Sequence, residues 1–332
     1  MGRILKWVAG LALAAILCVA ALTMISPWPG VLVIRLIFDR GAETAQARIA
    51  ALVPDDVMSR RGIRPEGFSA ETAFDLHRPA GTETVALPLI VWIHGGGFVS
   101  GRPGDVDNYA RILAAEGFAV VSAGYTIAPE AHFPTPVIEV NQLLAHLTAN
   151  AATYAIDPAR IMLAGDSAGA HIAAQLALVT TSPAVAQELG VAPALAATGL
   201  RGVLLFCGPF DLAGMTGGGI GGWFVNTTAW AYSGSRHWRE DASFARFSVA
   251  DRVIADFPPA FITVGNADPL APQSKAMAEA LARAGVTVET LFYPDDHVPP
   301  LAHEYQFDLN TGDGQRAFAQ ATGFARRVLS TP

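Results

Sequence analysis

Segments predicted as strands and as helices follow one another along most of this chain. The predicted strands, several of them apolar runs typical of burial on both faces, are residues 73–78, 87–93, 119–123, 161–164, 203–207, 260–264 and 288–293. Segments with the helical spacing of apolar residues lie between and after them, at 109–117, 137–150, 168–180, 274–284 and 314–329. This alternation predicts the α/β class, with a doubly wound and mostly parallel sheet covered by helices.

Two stretches depart from the alternation. In the first, residues 41–70, we predict a short helix (41–53) and then a polar linker or cap piece (54–67). The second, residues 208–247, starts with a glycine cluster and continues with several aromatic residues, so we expect a flexible loop within a cap insertion.

The beginning of the chain is more apolar than the rest. No charged residue occurs from Trp7 to Ile34, and residues 7–25 alone approach the roughly twenty residues that cross a bilayer. Arg3 and Lys6 precede this run, and basic residues favour the cytoplasmic side. We therefore predict a transmembrane helix within residues 1–40, in contact with membrane lipid, and a single domain, 41–332, on the outer (periplasmic or extracellular) side.

The apolar run has two other interpretations. A signal peptide ending near Val19-Ala20-Ala21 would be cleaved, and the protein would then be secreted. A buried helix of the folded domain is less favoured, because Pro27 and Pro29 are expected to interrupt it.

Composition excludes some classes of function. The net charge is −7 and no run of Lys or Arg occurs, so no nucleic-acid partner is expected. The two cysteines have no metal-ligand spacing, and the chain lacks an H-E-x-x-H motif. Glycines within 217–222 formally match G-x-G-x-x-G, but no strand precedes them. We therefore expect neither a metal nor an organic cofactor.

The segment Gly165-Asp166-Ser167-Ala168-Gly169 fits the G-x-S-x-G pattern of a nucleophilic serine, between a predicted strand and a predicted helix. The small neighbours leave room for a strained turn that projects Ser167 outwards. At the helix N-terminus, the amide of Ala168 can donate to an oxyanion.

A second glycine-rich segment, residues 94–98 (HGGGF), directly follows the predicted strand 87–93. Its backbone amides are free of side-chain cover, as an oxyanion hole requires. No G-K-[ST] follows, which argues against a phosphate-binding loop. His94 precedes the serine in the chain, so we expect it to fix the loop rather than act as the base.

The sequence resembles the bacterial hormone-sensitive-lipase-like (family IV) esterases, which have an α/β-hydrolase fold. The matching segments are HGGGF (94–98), YTIAPEAHFP (125–134), GDSAGAHIA (165–173) and GNADPL (265–270). The resemblance implies that Ser167 is the nucleophile and Asp268 the triad acid. It also implies that the amides of Gly96, Gly97 and Ala168 form the oxyanion hole.

The sequence departs from the family pattern at two points. Glu139 stands where the family often has aspartate, and the region after Tyr293 is longer than usual before the histidine.

The general base is expected after Asp268, where only His297 and His303 occur. The usual family spacing favours His297. The family histidine is typically followed by a small residue and then an aromatic residue, and Tyr305 keeps that aromatic for His303. We predict that His303 is the base, with His297 as the alternative.

These residues predict a serine carboxylesterase that hydrolyses esters of short to medium acyl chains through an acyl-enzyme intermediate. The expected length of the substrate's acyl chain follows from the family resemblance and from the modest size of the insertion. Two alternatives remain: an amidase or deacetylase with the same triad, and a non-catalytic ligand receptor on a hydrolase fold.

Overall fold

The computed structural model describes residues 6–8, 10–11 and 21–330. The strands are β1 (Val57–Ile63), β2 (Phe74–Pro79), β3 (Leu87–Ile93), β4 (Ala119–Ala123), β5 (Ile156–Asp166), β6 (Leu200–Phe206), β7 (Ala260–Val264) and β8 (Val288–Phe292). The α-helices described in full are α1 (Trp28–Ile49), α2 (Asp107–Ala115), α3 (Thr135–Ala149), α4 (Ala151–Tyr154), α5 (Ala168–Thr181), α6 (Pro183–Leu189), α7 (Gly219–Ser233), α8 (Ala271–Arg283) and α9 (Gly312–Ser330).

All eight strands belong to one sheet with the order β1-β2-β4-β3-β5-β6-β7-β8. The strands β4, β3, β5, β6, β7 and β8 are parallel, whereas β1 and β2 are antiparallel to their neighbours. This confirms the predicted α/β class with a mostly parallel sheet. Parallel strands end at the same edge, so the loops after β3, β5, β6 and β7 meet there.

The core consists of two apolar layers, one on each face of the sheet. In β3, Leu89 and Val91 face a layer completed by α3, α5 and α8, whereas Ile90 and Trp92 face a layer completed by α2 and α9. Because helices cover both faces, the central strands contain continuous buried apolar runs, such as residues 89–93 of β3 and 161–164 of β5. This burial fixes the position of the strand ends that carry the site.

Strand β1 lies within the stretch that we predicted to be a linker or cap piece, so that prediction was wrong. Residues 57–63 pair with β2 at the edge of the sheet, and Arg60 and Arg61 are exposed. An edge strand with one exposed face tolerates charged side chains, which is why the apolar pattern of the other strands is absent here.

Helix α1 continues through residues where we expected a break. Pro27 and Pro29 stand at its start, where the missing N–H of proline has no helical partner to lose, so the prolines begin the helix instead of interrupting it. Val31 and Ile34 are buried against the domain. The predicted boundary between residues 40 and 41 therefore falls inside a helix that packs on the sheet domain.

The predicted transmembrane helix has no counterpart among the described residues. No helix within residues 6–8, 10–11 and 21–330 combines the length and the apolar character needed to cross a bilayer. Residues 1–5, 9 and 12–20 of the predicted anchor lie outside the described residues.

The insertion at residues 208–247, called the cap from here on, contains helix α7 where we had predicted a flexible glycine loop. Helix α7 packs closely on α1: a Cβ added at Gly30 would lie 2.7 Å from Cγ2 of Thr227 and 3.3 Å from Cζ2 of Trp223. The rings of Phe38 and Phe224 are 5.7 Å apart. The contact between α1 and α7 gives the glycine-rich sequence a helical conformation that its composition alone does not favour.

Candidate active site

The nucleophile turn lies between β5 and α5. Ser167 has φ 50° and ψ −119°, a strained conformation for a residue other than glycine. A Cβ added at Gly169 would lie 1.9 Å from the carbonyl oxygen of Ile93, and one added at Gly165 would lie 2.4 Å from the carbonyl carbon of Gly169. Only glycine fits at these two positions, and the turn therefore depends on both.

The surroundings of Ser167 combine partial access with a helix N-terminus. Its amide donates to the carbonyl of Phe206 at 2.8 Å, which ties the turn to the end of β6. Ser167 is 9% exposed. Ala168 is the first residue of α5, so its amide lies where the helix dipole favours developing negative charge.

The loop at residues 94–98, called the oxyanion loop, follows β3. Gly96 and Gly97 have φ of 109° and 60°, and an added Cβ at Gly96 would lie 2.1 Å from the carbonyl oxygen of Ser100. Within the part of the chain that the structure describes, the amides of Gly96 and Gly97 donate no hydrogen bond. Two unpartnered amides beside the nucleophile turn are the arrangement that an oxyanion needs.

His94 is a structural part of this loop. Its Nδ1 lies 2.8 Å from the carbonyl oxygen of Gly95, and its ring stacks on Tyr125 with the centroids 4.2 Å apart. Burial lowers the pKa of His94 to about 4, so the ring is neutral. The geometry agrees with the expected positioning role.

Asp268 and His303 form a hydrogen-bonded pair at the same edge of the sheet. Nδ1–H of His303 donates to Oδ2 of Asp268 at 2.7 Å. Oδ1 of Asp268 accepts from the amide of Leu270 at 2.7 Å, and Asp268 is 4% exposed. The carboxylate is therefore held on both oxygens, and it fixes the ring with Nε2 turned away from Asp268.

The loop that carries His303 is held against the end of β7. Leu301 donates to Oδ1 of Asn266 at 2.8 Å, and its carbonyl accepts from the amide of Ala267 at 3.0 Å. An added Cβ at Gly265 would lie 2.2 Å from the carbonyl oxygen of Leu301. Thus the segment 265–268 positions both the acid and the backbone of the histidine loop.

The alternative base, His297, lies in a different environment. Its Nε2 is 3.2 Å from Oδ2 of Asp313, and its ring lies beside Tyr293 with the centroids 4.4 Å apart. Among the histidines that the structure describes, only His303 hydrogen-bonds to Asp268. The structure thus brings His303, not His297, to the predicted acid.

No hydrogen bond joins Ser167 to His303 among the described residues, and apo structures of hydrolases often show this contact loose. Two links nevertheless bring the residues to one place. Ser167 is tied to Phe206, and the next residue, Cys207, neighbours His303. Glu304 neighbours Asp166, which directly precedes the serine.

The charge environment of His303 favours its protonated form. Burial acts to lower the pKa of His303, whereas Cys207, the hydrogen bond to Asp268 and the carboxylate of Glu304 act to raise it, and the pKa lies well above its usual value. Burial raises the pKa of the Cys207 thiol, so this thiol is neutral. The carboxylates of Asp268 and Glu304 are therefore the charges that act on the ring at neutral pH.

Sequence reasoning missed the contact between Asp166 and Glu304. Asp166 is 3% exposed, and its Oδ1 accepts from Nε1 of Trp92 at 2.8 Å. Burial and the neighbouring Glu304 raise the pKa of Asp166 well above its usual value. Asp166 occupies a variable position of the G-x-S-x-G motif, so the motif does not predict a role for it. The sequence feature that could have indicated this contact is Glu304, which directly follows the predicted base His303.

Two groups of described residues bring potential metal-ligating atoms within 4.8 Å of one another. The first is Cys207, Asp268 and His303, and the second is Asp75, His77 and Asp107. In the first group, Asp268 and His303 already bind each other. In the second, Arg61 binds both oxygens of Asp107 at 2.6 and 2.9 Å, so a guanidinium would compete with the metal. Neither donor set favours a resident metal.

Comparison with known families decides the classification. A family model described as an alpha/beta hydrolase fold matches residues 90–298. The chain belongs to this family. The matched part of this α/β hydrolase includes Ser167 and Asp268 but ends before His303.

Curated relatives of this α/β hydrolase carry esterase names. The carboxylesterase NlhH of Mycobacterium tuberculosis is 30% identical over 295 residues, which cover 85% of this chain and 87% of that protein. An esterase of Gibberella moniliformis is 28% identical over 247 residues, covering 72% and 74% of the two chains. The resemblance to the hormone-sensitive-lipase-like esterases is thereby confirmed.

Solved structures share the fold. Esterase B of Lactobacillus rhamnosis, in an inhibited form, superposes with a TM-score of 0.78 at 22% identity, covering 90% of this chain and 96% of that one. An esterase of the archaeon Pyrobaculum calidifontis gives a TM-score of 0.71 at 22% identity, covering 90% and 91%. At this identity the likeness supports the fold.

Proposed function

We propose that the protein is a serine carboxylesterase with Ser167 as nucleophile, His303 as general base and Asp268 as the acid that orients the base. The observation that carries this proposal is the 2.7 Å hydrogen bond from His303 to Asp268, beside the strained turn that presents Ser167. The family supplies the reaction class, and the curated esterase relatives agree with it.

The reaction follows two steps. His303 accepts the hydroxyl proton of Ser167 at Nε2 while Oγ attacks the ester carbonyl, and the imidazolium then gives this proton to the leaving alcohol. Water next loses a proton to His303 and attacks the acyl-serine, which releases the acid and restores Ser167. The amides of Gly96, Gly97 and Ala168 stabilise the oxyanion in both steps.

The cap supports the preference for short to medium acyl chains. A Cβ added at Gly97 would lie 3.0 Å from Cζ of Phe224 and 3.4 Å from Cγ2 of Thr228, so α7 lies directly against the oxyanion loop. Phe224 in turn lies beside Phe38 of α1. The ring of Phe224 beside the oxyanion loop, with Phe38 next to it, favours an apolar substrate of limited length.

A panel of p-nitrophenyl esters from acetate to palmitate tests the function. We expect turnover to be highest from butyrate to octanoate and to disappear in Ser167→Ala. A matched anilide series separates an amidase from an esterase. Binding without turnover of any ester or anilide, together with no labelling by a fluorophosphonate, would indicate a receptor.

We further propose that the N-terminal segment holds the protein at a membrane, with the hydrolase domain on the outer side. The uncharged stretch from Trp7 to Ile34 runs directly into α1. The side of α1 opposite its buried face exposes four large apolar side chains spaced to share one helix face, namely Leu32, Val33, Leu36 and Ile37. Such a face suits the boundary between lipid headgroups and acyl chains.

Membrane fractionation with carbonate and detergent extraction tests this proposal. We expect the full-length protein to need detergent, and its intact mass to include residue 1. A soluble protein whose N-terminus lies near Leu22 would indicate a cleaved signal and secretion instead. Exchanging Leu32 and Leu36 for serine in the chain without residues 1–26 should weaken vesicle binding but not activity on a soluble ester.

A further inference from the structure

The buried carboxyl of Asp166 and the carboxylate of Glu304 meet beneath the oxyanion loop. A Cβ added at Gly95 would lie 2.3 Å from Oδ2 of Asp166 and 3.2 Å from Oε1 of Glu304, so both oxygens lie against the same side of Gly95. Burial, the charge of Glu304 and a hydrogen bond with the side chain of Glu304 raise the pKa of Asp166. A hydrogen bond between two carboxyl groups requires a proton on one of them.

Asp166 carries this shared proton. It is 3% exposed, whereas the side chain of Glu304 is 37% exposed, and the more buried carboxyl is the one that stays neutral. Oδ1 of Asp166 accepts from the indole of Trp92 at 2.8 Å, the backbone of Gly95 also hydrogen-bonds to this carboxyl, and Glu304 neighbours it. Glu304 therefore keeps its negative charge and is held in place.

Glu304 faces the reacting nitrogen of the base. Its Oε1 lies 3.7 Å from Nε2 of His303, opposite the Nδ1 that Asp268 binds. Its backbone adopts φ 62° and ψ 26°, a left-handed conformation that a residue other than glycine keeps only where its surroundings hold it. The backbone carbonyl of Glu304 accepts from the amide of Phe307 at 3.1 Å, and its side chain neighbours Asp166.

We propose that Glu304, held by the protonated carboxyl of Asp166, is a positioning residue that stabilises the His303 imidazolium formed during ester hydrolysis. The inference rests on the proposed function of His303 as the base. The titratable groups that face the ring are Asp268 after β7, Cys207 after β6 and Glu304 on its own loop, with Asp166 at the end of β5 behind Glu304. Of these, Glu304 is the carboxylate beside Nε2.

The test is the pH dependence of kcat/KM for wild type and Glu304→Gln. The amide keeps the shape of the side chain and an oxygen that accepts from Asp166, but it removes the charge. Loss of a carboxylate about 4 Å from the imidazolium, partly screened by water, should move the acidic midpoint of the profile down by about 1 pH unit. The maximal kcat/KM should fall by about 10-fold at most, and the exposed Glu279→Gln serves as the matched control.

Two variants of Asp166 test the shared proton. Asp166→Asn keeps a donor towards Glu304 and an acceptor for Trp92, so its midpoint should remain that of wild type. Asp166→Ala removes the donor, and the midpoint should move in the same direction as in Glu304→Gln. These variants also keep the inference testable if Glu304→Gln does not fold, as judged by circular dichroism.

An NMR titration of the His303 ring gives a readout that does not need turnover, with the signal assigned by its loss in His303→Gln. The inference predicts a lower pKa of His303 in Glu304→Gln than in wild type. An unchanged pKa and midpoint, even with reduced activity, would mean that Glu304 is only structural and would overturn the inference. Absence of ester hydrolysis in wild type would instead refute the proposed function.

Discussion

Nδ1 of His303 and Oδ2 of Asp268 lie 2.7 Å apart, although 35 positions separate the two residues in the chain. The contact exists because β7 ends at Val264 and the histidine loop folds back over residues 265–268. It fixes the tautomer of the imidazole, since a carboxylate can only accept. In its neutral form His303 therefore has its lone pair on Nε2, as the proposed role of general base requires.

Asp268→Asn should retain the fold and lose most of the activity. An amide in place of the carboxylate can donate to Nδ1 of His303, which favours the wrong tautomer, and it cannot stabilise the imidazolium. We expect kcat to fall by about 10⁴-fold. Steady-state kinetics with p-nitrophenyl butyrate, alongside the melting temperature, measures this, and activity within tenfold of wild type would exclude Asp268 as the acid.

Replacing each histidine separately should distinguish the two candidate bases. His303→Ala removes the only ring that contacts Asp268 among the described residues and should abolish measurable turnover. His297→Ala removes a ring that contacts Asp313 and Tyr293, and turnover should change little. If His297→Ala were instead the inactive variant, the assignment of the base would have to be reversed.

Ser167→Ala should fold normally and lose ester hydrolysis by about 10⁴-fold or more, because only the oxyanion amides and substrate binding remain. A fluorophosphonate should label the wild-type protein at Ser167, identified by peptide mass spectrometry. The matched control is Ser100→Ala, which replaces a buried serine after the oxyanion loop. This variant should still be labelled at Ser167, to the same extent as the wild-type protein. Labelling of Ser167→Ala at the wild-type rate would contradict the assignment.

The pH profile should be shifted towards the alkaline side. Ester hydrolysis needs neutral His303, so kcat/KM rises with pH through the pKa of the free enzyme's base. Burial acts to lower the pKa of His303, whereas the hydrogen bond to Asp268 and the carboxylate of Glu304 act to raise it above the ordinary value of 6.5. We expect the acidic midpoint above pH 6.5, measured with an ester whose own hydrolysis is corrected for at each pH. A midpoint below 6.5 would contradict the charge environment described for His303.

The sequence predicted the parts of the fold where burial dictates the residue types. The predicted bounds of β3 and β7, residues 87–93 and 260–264, agree with the structure, since both strands consist mainly of buried apolar residues. The oxyanion loop and the serine turn were also found, because each needs glycines at fixed positions. Sequence spacing alone did not decide whether His297 or His303 is the general base. The hydrogen bond to Asp268, which His303 makes, favours His303.

Other elements could not be predicted, because their conformation depends on tertiary contacts and not on a local sequence pattern. Strand β1 carries exposed arginines at the sheet edge, and α7 begins in a glycine cluster that only packing on α1 makes helical. The pair Asp166 and Glu304 joins the end of β5 to the histidine loop, and no local pattern records such a contact. Each of these needed the three-dimensional arrangement.

The role of α1 leads to a prediction about where the chain can be shortened. Val31 and Ile34 are buried in the domain core. Arg35 donates from Nε to the carbonyl of Val99 at 2.7 Å and from Nη2 to that of Ala128 at 3.0 Å. These contacts lie next to the oxyanion loop, so α1 helps to hold the oxyanion loop in position.

A chain beginning at Pro27 should therefore keep the stability and soluble-ester activity of the full-length protein, whereas a chain beginning at Gly41 should lose both. Burial of two branched apolar side chains is worth about 1.5–3 kcal/mol each, so deletion of residues 27–40 should cost several kcal/mol and leave Phe224 without Phe38. Thermal unfolding and p-nitrophenyl butyrate hydrolysis of both chains measure this. Arg35→Ala in the chain beginning at Pro27 separates the two effects, since it removes the bonds to the loop while Val31 and Ile34 stay buried. Equal melting temperatures and kcat/KM for the two shortened chains would show that α1 is dispensable.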